Sequence, residues 1–392
     1  MRGYVLSKRV AEIGGGGIAG LSLALMLART GWSVRVNERT PAIREVGAGI
    51  FLRNNSIEVL EEFGVLDSLR ARGTELSHQI TVDGAGSVME ERSLSGMSRV
   101  TVLPRQALVE ELLAAAVNAG VEVVTGAEAV GISPDGSLTL RDGSQRKADL
   151  VVAADGVHSR LRSSFGELAK PRLLPTTINR YLLPHRKFAV EPFHREFWGP
   201  NRRIGIAPAG PDATYVYQVC KASDHAAGKL PSDAELWTRS IPVLADFFQE
   251  IARAPSIPHQ YVTVKCSKWS VGRAAIIGDA AHGMPPTLGQ GAGVSIMNAR
   301  GLAAALTQHQ DVATALRDWE TTVRYITDRT QAWAIRFDVF ANRFPDNLAF
   351  MRWPVAWCFK NFPILNARMR IAERGLVDTH LGQKLESSAL FS

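Results

Sequence analysis

The sequence GDAAHGMPPTLGQGAG at residues 278–293 decides how this chain is interpreted. It follows the apolar run AAII at residues 274–277, which predicts a buried strand, and precedes small and apolar residues at 294–306 that predict a helix. Asp279 therefore lies at the C-terminal end of a strand. A carboxylate there can accept hydrogen bonds from sugar hydroxyls, the glycines allow close backbone approach, and the helix N-terminus favours an anion.

A second segment, GGGIAG at residues 15–20, has the pattern G-x-G-x-x-G. A predicted strand at residues 9–13 precedes it, a helical run at 21–29 follows it, and the next predicted strand, 33–38, ends in Glu38. A carboxylate about 20 residues beyond such glycines can accept the ribose hydroxyls of an ADP group. Together the two segments favour a flavin dinucleotide. The alternatives are a tight turn without a ligand for the glycines and a solvated acid for Glu38.

A third segment, ADGVHSRLR at residues 154–162, again places Asp-Gly at the end of an apolar strand. In this order the three segments resemble the single-component FAD-dependent aromatic hydroxylases, which include the para-hydroxybenzoate and salicylate hydroxylases. The resemblance covers roughly residues 8–330. It implies an α/β fold with a Rossmann-like FAD-binding domain, an inserted antiparallel β-sheet substrate domain and a helical C-terminal region.

The patterning along the chain agrees with that organisation. Residues 172–265 alternate β-branched and aromatic residues with polar ones, which is typical of a sheet. We expect a discontinuous FAD-binding domain in residues 1–75, 100–171 and 266–330, a substrate-binding β-sheet domain in 76–99 and 172–265, and a helical C-terminal region in 331–392.

The composition narrows the classes of partner. The chain has 392 residues, a net charge of +7 and 46% hydrophobic residues, as an ordinary globular protein does. Its basic residues are scattered, which argues against nucleic acid and favours anionic small ligands. Cys220, Cys266 and Cys358 have no metal-ligand or disulfide spacing, so we expect no metal and a cytoplasmic location. Residues 1–9 lack a signal-peptide core, the apolar stretch at 350–365 is interrupted by charges and prolines, and we expect no membrane span. We expect a monomer or a homodimer.

The resemblance implies that NADH or NADPH reduces the FAD, that O2 then forms a flavin C4a-hydroperoxide, and that this species hydroxylates an electron-rich ring. Glu38 is expected at the adenosine ribose, Asp279 at the ribityl chain, and Arg105 and Asp155 at the flavin. Arg105 could instead be a surface residue and Asp155 a strand-end cap. The expected cofactor-binding residues are Gly15, Gly17, Ala19, Gly20, Glu38, Arg39, Gly49, Arg53, Arg105, Asp155, Asp279, Pro286, Gly289, Gly291, Ala292 and Gly293.

Three residues are expected to serve catalysis. The sequence MNA at 297–299 stands where many aromatic hydroxylases carry Glu-Asp-Ala, and it resembles the pyridine-ring branch typified by 2-methyl-3-hydroxypyridine-5-carboxylate oxygenase. That branch has an Arg and a Tyr on the substrate sheet, which Arg203 and Tyr215 match, and a second pocket Tyr, which falls at His78 here. Tyr215 or His78 could hold a ring-hydroxyl proton, and Arg203 could bind a carboxylate. Each could also be an ordinary sheet residue.

These patterns predict an FAD-dependent, NAD(P)H-using monooxygenase of aromatic catabolism. Its expected substrate is a small hydroxylated N-heteroaromatic compound, a pyridine of the 6-hydroxynicotinate or 6-hydroxy-3-acylpyridine type, hydroxylated with or without loss of a side chain. The alternatives are a salicylate-type benzenoid hydroxylase, a flavin-dependent reductase that does not use O2, and a flavin-binding sensor.

Overall fold

The structure is a computed structural model that describes residues 8–44, 48–94, 96, 98–166, 170–344, 351 and 362–383. Residues 1–7 of the N-terminal segment and most of the apolar stretch at 350–365 lie outside the described residues. Within the described ranges, no helix combines the length and the apolarity that a bilayer crossing needs.

The strands, in chain order, are β1 (Val10–Gly14), β2 (Ser33–Glu38), β3 (Gly49–Arg53), β4 (Thr74–Glu75), β5 (His78–Asp83), β6 (Val88–Ser93), β7 (Val100–Pro104), β8 (Glu122–Thr125), β9 (Ala129–Ser133), β10 (Ser137–Leu140), β11 (Gln145–Lys147), β12 (Leu150–Ala153), β13 (Arg172–Leu183), β14 (Phe193–Gly199), β15 (Arg202–Pro208), β16 (Thr214–Lys221), β17 (Ile257–Thr263), β18 (Ser270–Val271) and β19 (Ala274–Ile276).

The α-helices are α1 (Ile18–Arg29), α2 (Asn54–Glu62), α3 (Leu66–Arg70), α4 (Arg105–Asn118), α5 (His225–Gly228), α6 (Ala234–Ser240), α7 (Ala245–Ile251), α8 (Asp279–His282), α9 (Gly291–Gln308), α10 (Val312–Asn342) and α11 (Pro363–Met369). Short 3-10 helices lie at Leu161–Phe165, Pro242–Leu244, Pro286–Leu288, Ile371–Arg374 and His380–Gly382.

A six-stranded sheet in the order β18-β19-β12-β1-β2-β8 forms the first layer. Its strands are parallel except for the edge strand β18. All four residues of β12 are buried, as expected for a strand covered on both faces. Helix α1 packs against both α4 and α9, and the main hydrophobic core fills the space between these helices and the sheet.

A seven-stranded sheet in the order β17-β13-β16-β15-β14-β5-β6 forms the second large layer. It combines β5 and β6 with β13–β17, which lie far from them in the chain. Its neighbouring strands are antiparallel, except that β5 and β14 are parallel to each other. Helices α6 and α7 cover one face of this sheet with a second hydrophobic core, which includes Trp237 and Phe248. The other face is turned toward the first sheet. The predicted fold class is confirmed, with the parallel pair as an unexpected detail.

Helix α10 joins the first sheet to the C-terminal region. Asp311 begins it by accepting a hydrogen bond from the N–H of Thr314 at 2.8 Å. The buried Trp319 anchors it, because the indole N–H donates to the carbonyl of Asn298 in α9 at 2.9 Å. The helix continues past residue 330, so the boundary predicted between residues 330 and 331 falls inside it. The division into domains otherwise stays a prediction.

Candidate functional site

Four predicted binding elements meet at one edge of the six-stranded sheet. Strands β19, β12, β1 and β2 are adjacent and parallel, so their carboxyl ends lie side by side. Asp279 follows β19, Asp155 follows β12, the glycine loop follows β1, and Glu38 ends β2. This edge is where ligands bind in open α/β sheets.

The glycine loop has the backbone geometry that only glycine allows. Gly15 has a φ of +115°, and a Cβ there would overlap the carbonyl oxygen of Ala154. A Cβ on Gly20 would overlap the carbonyl oxygen of Gly15, so the absence of a side chain lets α1 approach the turn. Gly17 has an ordinary φ of −81°, and a Cβ there would point into open space. Gly15 and Gly20 therefore shape the loop, and Gly17 borders the cavity.

The two strand-end acids are held by backbone N–H groups. Glu38 accepts hydrogen bonds from the N–H of Gly16 at 2.8 Å and of Thr40 at 2.9 Å. One oxygen of Asp155 accepts the N–H groups of Arg160 at 2.8 Å and Leu161 at 3.1 Å. The other oxygen of Asp155 is buried and has no partner among the described residues, so it is available to a ligand hydroxyl or N–H.

A cavity of about 1300 Å³ runs from this edge to the inner face of the seven-stranded sheet. It exceeds the usual volume of a site for one drug-sized molecule, which is at most about 1000 Å³. The N-termini of α1 and α9 both open onto it. The predicted residues that line it are Gly15, Gly17, Ala19, Glu38, Arg39, Gly49, Arg53, Arg105, Asp155, Asp279, Pro286, Gly289, Gly291, Ala292, Arg203 and Tyr215.

Three predicted residues do not line the cavity. Gly20 packs against the glycine turn, and a Cβ on Gly293 would meet the side chain of Asn55, so both glycines serve helix packing. His78 lies on the face of β5 that packs toward the second core, with its ring centroid 4.8 Å from that of Phe193. Because side chains alternate along a strand, its neighbour Gln79 faces the cavity instead.

Two tyrosines of β16 face the cavity together. Tyr215 and Tyr217 are two residues apart and therefore share a face of the sheet. Both lie against glycines: a Cβ on Gly49 would overlap the ring of Tyr215, and one on Gly205 would overlap that of Tyr217. The ring centroids of the tyrosines are 5.8 Å apart. The sequence had singled out only Tyr215.

The hydroxyl of Tyr217 belongs to a buried hydrogen-bond network that the sequence did not predict. It donates to Oε1 of Glu196 at 2.5 Å, and Nε2 of His194 lies 2.9 Å from it. Glu196 also accepts the indole N–H of Trp198 at 2.7 Å and pairs with Nη1 of Arg203 at 3.1 Å. His194, Glu196 and Trp198 occupy every second position of β14 and therefore share one face of the sheet. This spacing of polar and aromatic residues was the signal by which the sequence could have indicated the network.

The protons of this network follow from its geometry. An ionised carboxylate only accepts hydrogen bonds, so the Tyr217 hydroxyl is the donor to Glu196. His194 must then donate to the Tyr217 oxygen through Nε2–H, which leaves the lone pair on Nδ1. No described residue other than Tyr217 forms a hydrogen bond with this imidazole. His194 lines the cavity, so Nδ1 is its available acceptor.

Burial and neighbouring charges set the protonation states. Burial lowers the pKa of His194 to about 4, with a smaller opposing effect from Glu196. Burial opposes ionisation of Glu196, but Arg203 and His194, with the hydrogen bonds from Tyr217 and Trp198, outweigh it and lower the pKa of that carboxyl. Burial and the Glu196 charge raise the pKa of Tyr217. At neutral pH the network therefore holds a neutral imidazole, a neutral phenol and a carboxylate.

Tyr215 has different neighbours. Burial raises the pKa of its hydroxyl, and the charges of Arg180 and Arg105 oppose that rise. Its ring centroid lies 6.0 Å from that of Phe51, which also lies 5.0 Å from the His194 ring. Tyr215 therefore contributes an aromatic wall and places its hydroxyl near cations, away from the carboxylate network.

Residues of the C-terminal region also line the cavity. Nη1 of Arg53 lies 3.2 Å from Oε1 of Glu373, and Nε of Arg370 lies 2.7 Å from Oε2 of the same residue. Ser98 also donates to Glu373 at 3.2 Å. Burial lowers the pKa of Arg53, with the Glu373 charge opposing. Arg53 is thus partnered inside the protein.

Asn298, which directed the sequence interpretation toward a pyridine, does not reach the cavity. It is fully buried in α9, and its Nδ2 lies 3.1 Å from Nε2 of His282 and 3.1 Å from Oγ1 of Thr327. Burial lowers the pKa of His282 to about 4, so a neutral amide suits it as a partner. Asn298 supports the turn that carries Asp279 and does not contact a substrate.

A family described as FAD binding domain matches residues 8–317 of the chain. A 2-heptyl-3-hydroxy-4(1H)-quinolone synthase of Mycobacteroides abscessus is 36% identical over 343 residues, which are 84% of this chain and 90% of that protein. A 3-amino-4-hydroxybenzoate 2-monooxygenase of Streptomyces platensis is 31% identical over 332 residues, which are 80% of this chain and 83% of that protein.

Among solved structures, the tetrameric form of 2-methyl-3-hydroxypyridine-5-carboxylic acid oxygenase superposes with a TM-score of 0.83. It is 32% identical, and the superposition covers 94% of this chain and 96% of that one.

The described residues fit an FAD. Side-chain positions at Gly17 and Gly291 are open toward the cavity, so a flat ligand can approach the backbone there. The helix N-termini at Ile18 and Gly291 favour the negative charge of a diphosphate or a reduced flavin by roughly 1 kcal/mol each. The unpartnered oxygen of Asp155 is the kind of polar atom that a bound dinucleotide satisfies.

We expect the substitution Gly17→Val to abolish FAD binding without unfolding the protein. The φ of −81° suits valine, and the new side chain meets no protein atom within 4 Å at its Cβ, so it occupies cavity space that a dinucleotide needs. The measurement is the FAD content per chain, from the visible and ultraviolet absorbance of purified protein. The melting temperature of the FAD-free variant should equal that of FAD-free wild type. A variant with one FAD per chain would show that Gly17 does not border the cofactor.

We expect the folded protein to lose stability as the pH falls from about 6.5 to 4. His194 and His282 have a pKa of about 4 when folded, whereas an unfolded histidine titrates near about 6.5, so the unfolded chain binds more protons in that window. Each contributes a loss of about 2 kcal/mol between pH 7 and 4.5. Urea unfolding at several pH values measures this. His194→Gln should reduce the slope, and His225→Gln at an exposed position should not. Equal slopes in all three proteins would refute the assignment.

Proposed function

We propose that this chain, which belongs to the FAD-dependent aromatic hydroxylases, hydroxylates an N-heteroaromatic ring that carries a hydroxyl or oxo group, with a hydroxypyridine as the favoured type. One observation carries the proposal: the hydrogen-bonded series His194, Tyr217 and Glu196 faces the cavity beside aromatic walls. In the overall reaction a ring C–H, O2, NAD(P)H and a proton give a ring C–OH, NAD(P)+ and water. Loss of a ring side chain would be a variant of the same chemistry.

His194 is the residue that would take up the proton of the substrate. A ring hydroxyl or ring N–H can donate to Nδ1, which holds a lone pair in the tautomer that the network requires. A proton that moves to Nδ1 makes the imidazole a cation, which burial disfavours and the Glu196 charge partly offsets. Glu196 stabilises that cation through the intervening Tyr217 hydroxyl, at a position already organised before the reaction. Withdrawal of the proton makes the ring more electron-rich.

The other residues orient the ring and exclude water. FAD, when bound and reduced, reacts with O2 and supplies the electrophilic oxygen atom. Phe51, Trp198 and Phe340 line the cavity around the network with apolar surface. Such a wall limits the access of water to a reactive oxygen donor. Pro286, at the turn before α9, also lines the cavity and would bound the ring there.

A second candidate substrate is a 4-quinolone with an apolar chain. It is favoured by the 36% identity to the quinolone synthase and by the apolar side chains Phe337, Phe340 and Met369, which also line the cavity. A fused ring and a chain would occupy more of that space than a single pyridine ring. The same proton network suits both substrates, because a 4-quinolone also carries a ring N–H and an oxo group.

A substrate panel tests the proposal. Holoenzyme is mixed with hydroxypyridines, 4-quinolones with and without an alkyl chain, and salicylate and para-hydroxybenzoate, with NADH or NADPH. We expect substrate-stimulated oxygen uptake and a hydroxylated product with at least one N-heteroaromatic ring. Product identification separates hydroxylation from peroxide release. Turnover of benzenoid acids alone would favour the salicylate-type alternative, and reduction of a double bond without oxygen uptake would favour a reductase.

We expect Tyr217→Phe to lower the rate of hydroxylation by roughly 10²-fold or more, the usual contribution of a positioned proton-transfer group. The change removes the hydroxyl that connects His194 to Glu196 and keeps the ring against Gly205. Stopped-flow absorbance measures flavin reduction and product formation separately. Tyr215→Phe, on the same face of the same strand, is the matched control and should have a smaller effect. If the Tyr215 variant is the slower one, the proton path runs through Tyr215 instead.

A further inference from the structure

The charge of Arg203 is already balanced inside the protein. Its Nη1 lies 3.1 Å from Oε1 of Glu196, and the two side chains are only 5% and 13% exposed. Asp338, a second fully buried carboxylate, also acts on the guanidinium electrostatically. A cation with two acidic neighbours and little accessible surface has small need of an anionic ligand.

The surroundings of Arg203 also restrict the N–H donors that its guanidinium can offer a ligand. Its guanidinium carbon lies 5.9 Å from the ring centroids of both Trp198 and Tyr217. Its Nε is buried and forms no hydrogen bond with any of the described residues. Recognition of a carboxylate by arginine normally uses two parallel donors that are open to the ligand. Here, of the five N–H donors, one on Nη1 faces Glu196 and the one on Nε is buried.

Beside the ion pair of Arg203 with Glu196, the polar groups that this wall offers a ligand are uncharged. His194 presents a neutral imidazole and Tyr217 a neutral hydroxyl, and both line the cavity. Phe51 and Trp198 add aromatic surface beside them. The Glu196 carboxylate also lines the cavity, and it accepts hydrogen bonds from Tyr217 and Trp198. A ring carboxylate placed against the wall would therefore lie near another carboxylate.

We infer that Glu196 is a specificity-determining residue that makes this cavity accept uncharged hydroxy- or oxo-substituted N-heteroaromatic rings and reject rings that carry a carboxylate. The inference rests on the proposed function and narrows its substrate class. It replaces the expectation that Arg203 binds a substrate carboxylate.

Other arginines that line the cavity could instead attract a ring carboxylate, and this is the alternative to the inference. Arg53 and Arg370 both contact Glu373, and Arg92 lies close enough to all three to feel their charges. If these arginines recruited a ring carboxylate, anionic rings would bind more tightly than neutral ones. The relative affinities of matched neutral and anionic rings therefore decide between the two possibilities.

The test compares ligands that differ in charge and hardly in shape. Holoenzyme without NAD(P)H is titrated with 4-hydroxyquinoline-3-carboxamide and 4-hydroxyquinoline-3-carboxylate, and with the 5-carboxamide and 5-carboxylate of 3-hydroxypyridine. The flavin absorbance change and calorimetry give each Kd. We expect each carboxamide to bind at least about tenfold more tightly than its carboxylate, because contact between like charges is strongly unfavourable at a buried site. Equal or tighter binding of the carboxylates overturns the inference.

Glu196→Gln supplies a second, independent test. The amide keeps the size of the side chain and can still accept a hydrogen bond from Tyr217, but it leaves Arg203 less compensated. We expect the carboxamide preference to shrink by about tenfold or to reverse. Glu235→Gln, the same change on the exposed surface of α6, should leave the preference unaltered. An unchanged preference in the Glu196 variant overturns the inference, and the wild-type titrations decide alone if that variant does not fold.

The outcomes also separate this inference from the proposed function. If N-heteroaromatic rings are hydroxylated and the carboxylates bind best, the proposed function stands and the role of Glu196 is wrong. If no ring of either charge perturbs the flavin spectrum or yields product, both fail.

Discussion

The close approach of α1 to the first strand of the parallel sheet is the constraint on which the rest of the structure depends. The carbonyl oxygens of Ala154 and Gly15 occupy the space that side chains at Gly15 and Gly20 would need. This contact sets the helix against the strand ends and aims its N-terminus at the cavity. It also fixes the distance between the glycine turn and Asp155. A bulkier residue at either glycine would move the helix and with it one wall of the cofactor site.

The cofactor half of the site could be predicted because its information is local. Each binding element is a strand followed at once by its functional residue, as in residues 274–279, and neighbouring parallel strands bring those ends together without further specification. The apolar runs and the acids at the strand ends were therefore predictable from short windows of sequence. Gly20 and Gly293 belong to the segments that were predicted to bind the cofactor, but in the structure both allow close helix packing and do not line the cavity.

The substrate half depends on long-range register, which no short window contains. His78 and His194 lie on paired strands, and the parallel β5–β14 pairing decides that Gln79, and not His78, lies beside His194. Glu196 became significant only once β15 had placed Arg203 next to it. Asn298 is a different case. It carried a correct family resemblance and was used to choose the substrate class, but its hydrogen-bond partners, His282 and Thr327, are inside the protein. Similarity identified the branch, but burial decides which residues can select a substrate.

The ion pair between Arg53 and Glu373 has a consequence for how the protein is made. Chains emerge from the ribosome from the N-terminus onward and tend to fold by units as they appear. Both large sheets are complete by residue 276, whereas the cavity-lining residues between 366 and 373 are synthesised after them. A nascent chain could therefore build its dinucleotide edge while the far end of the cavity is still open. The order of synthesis would let a large cofactor enter a cavity that is only later narrowed to the size of its substrate.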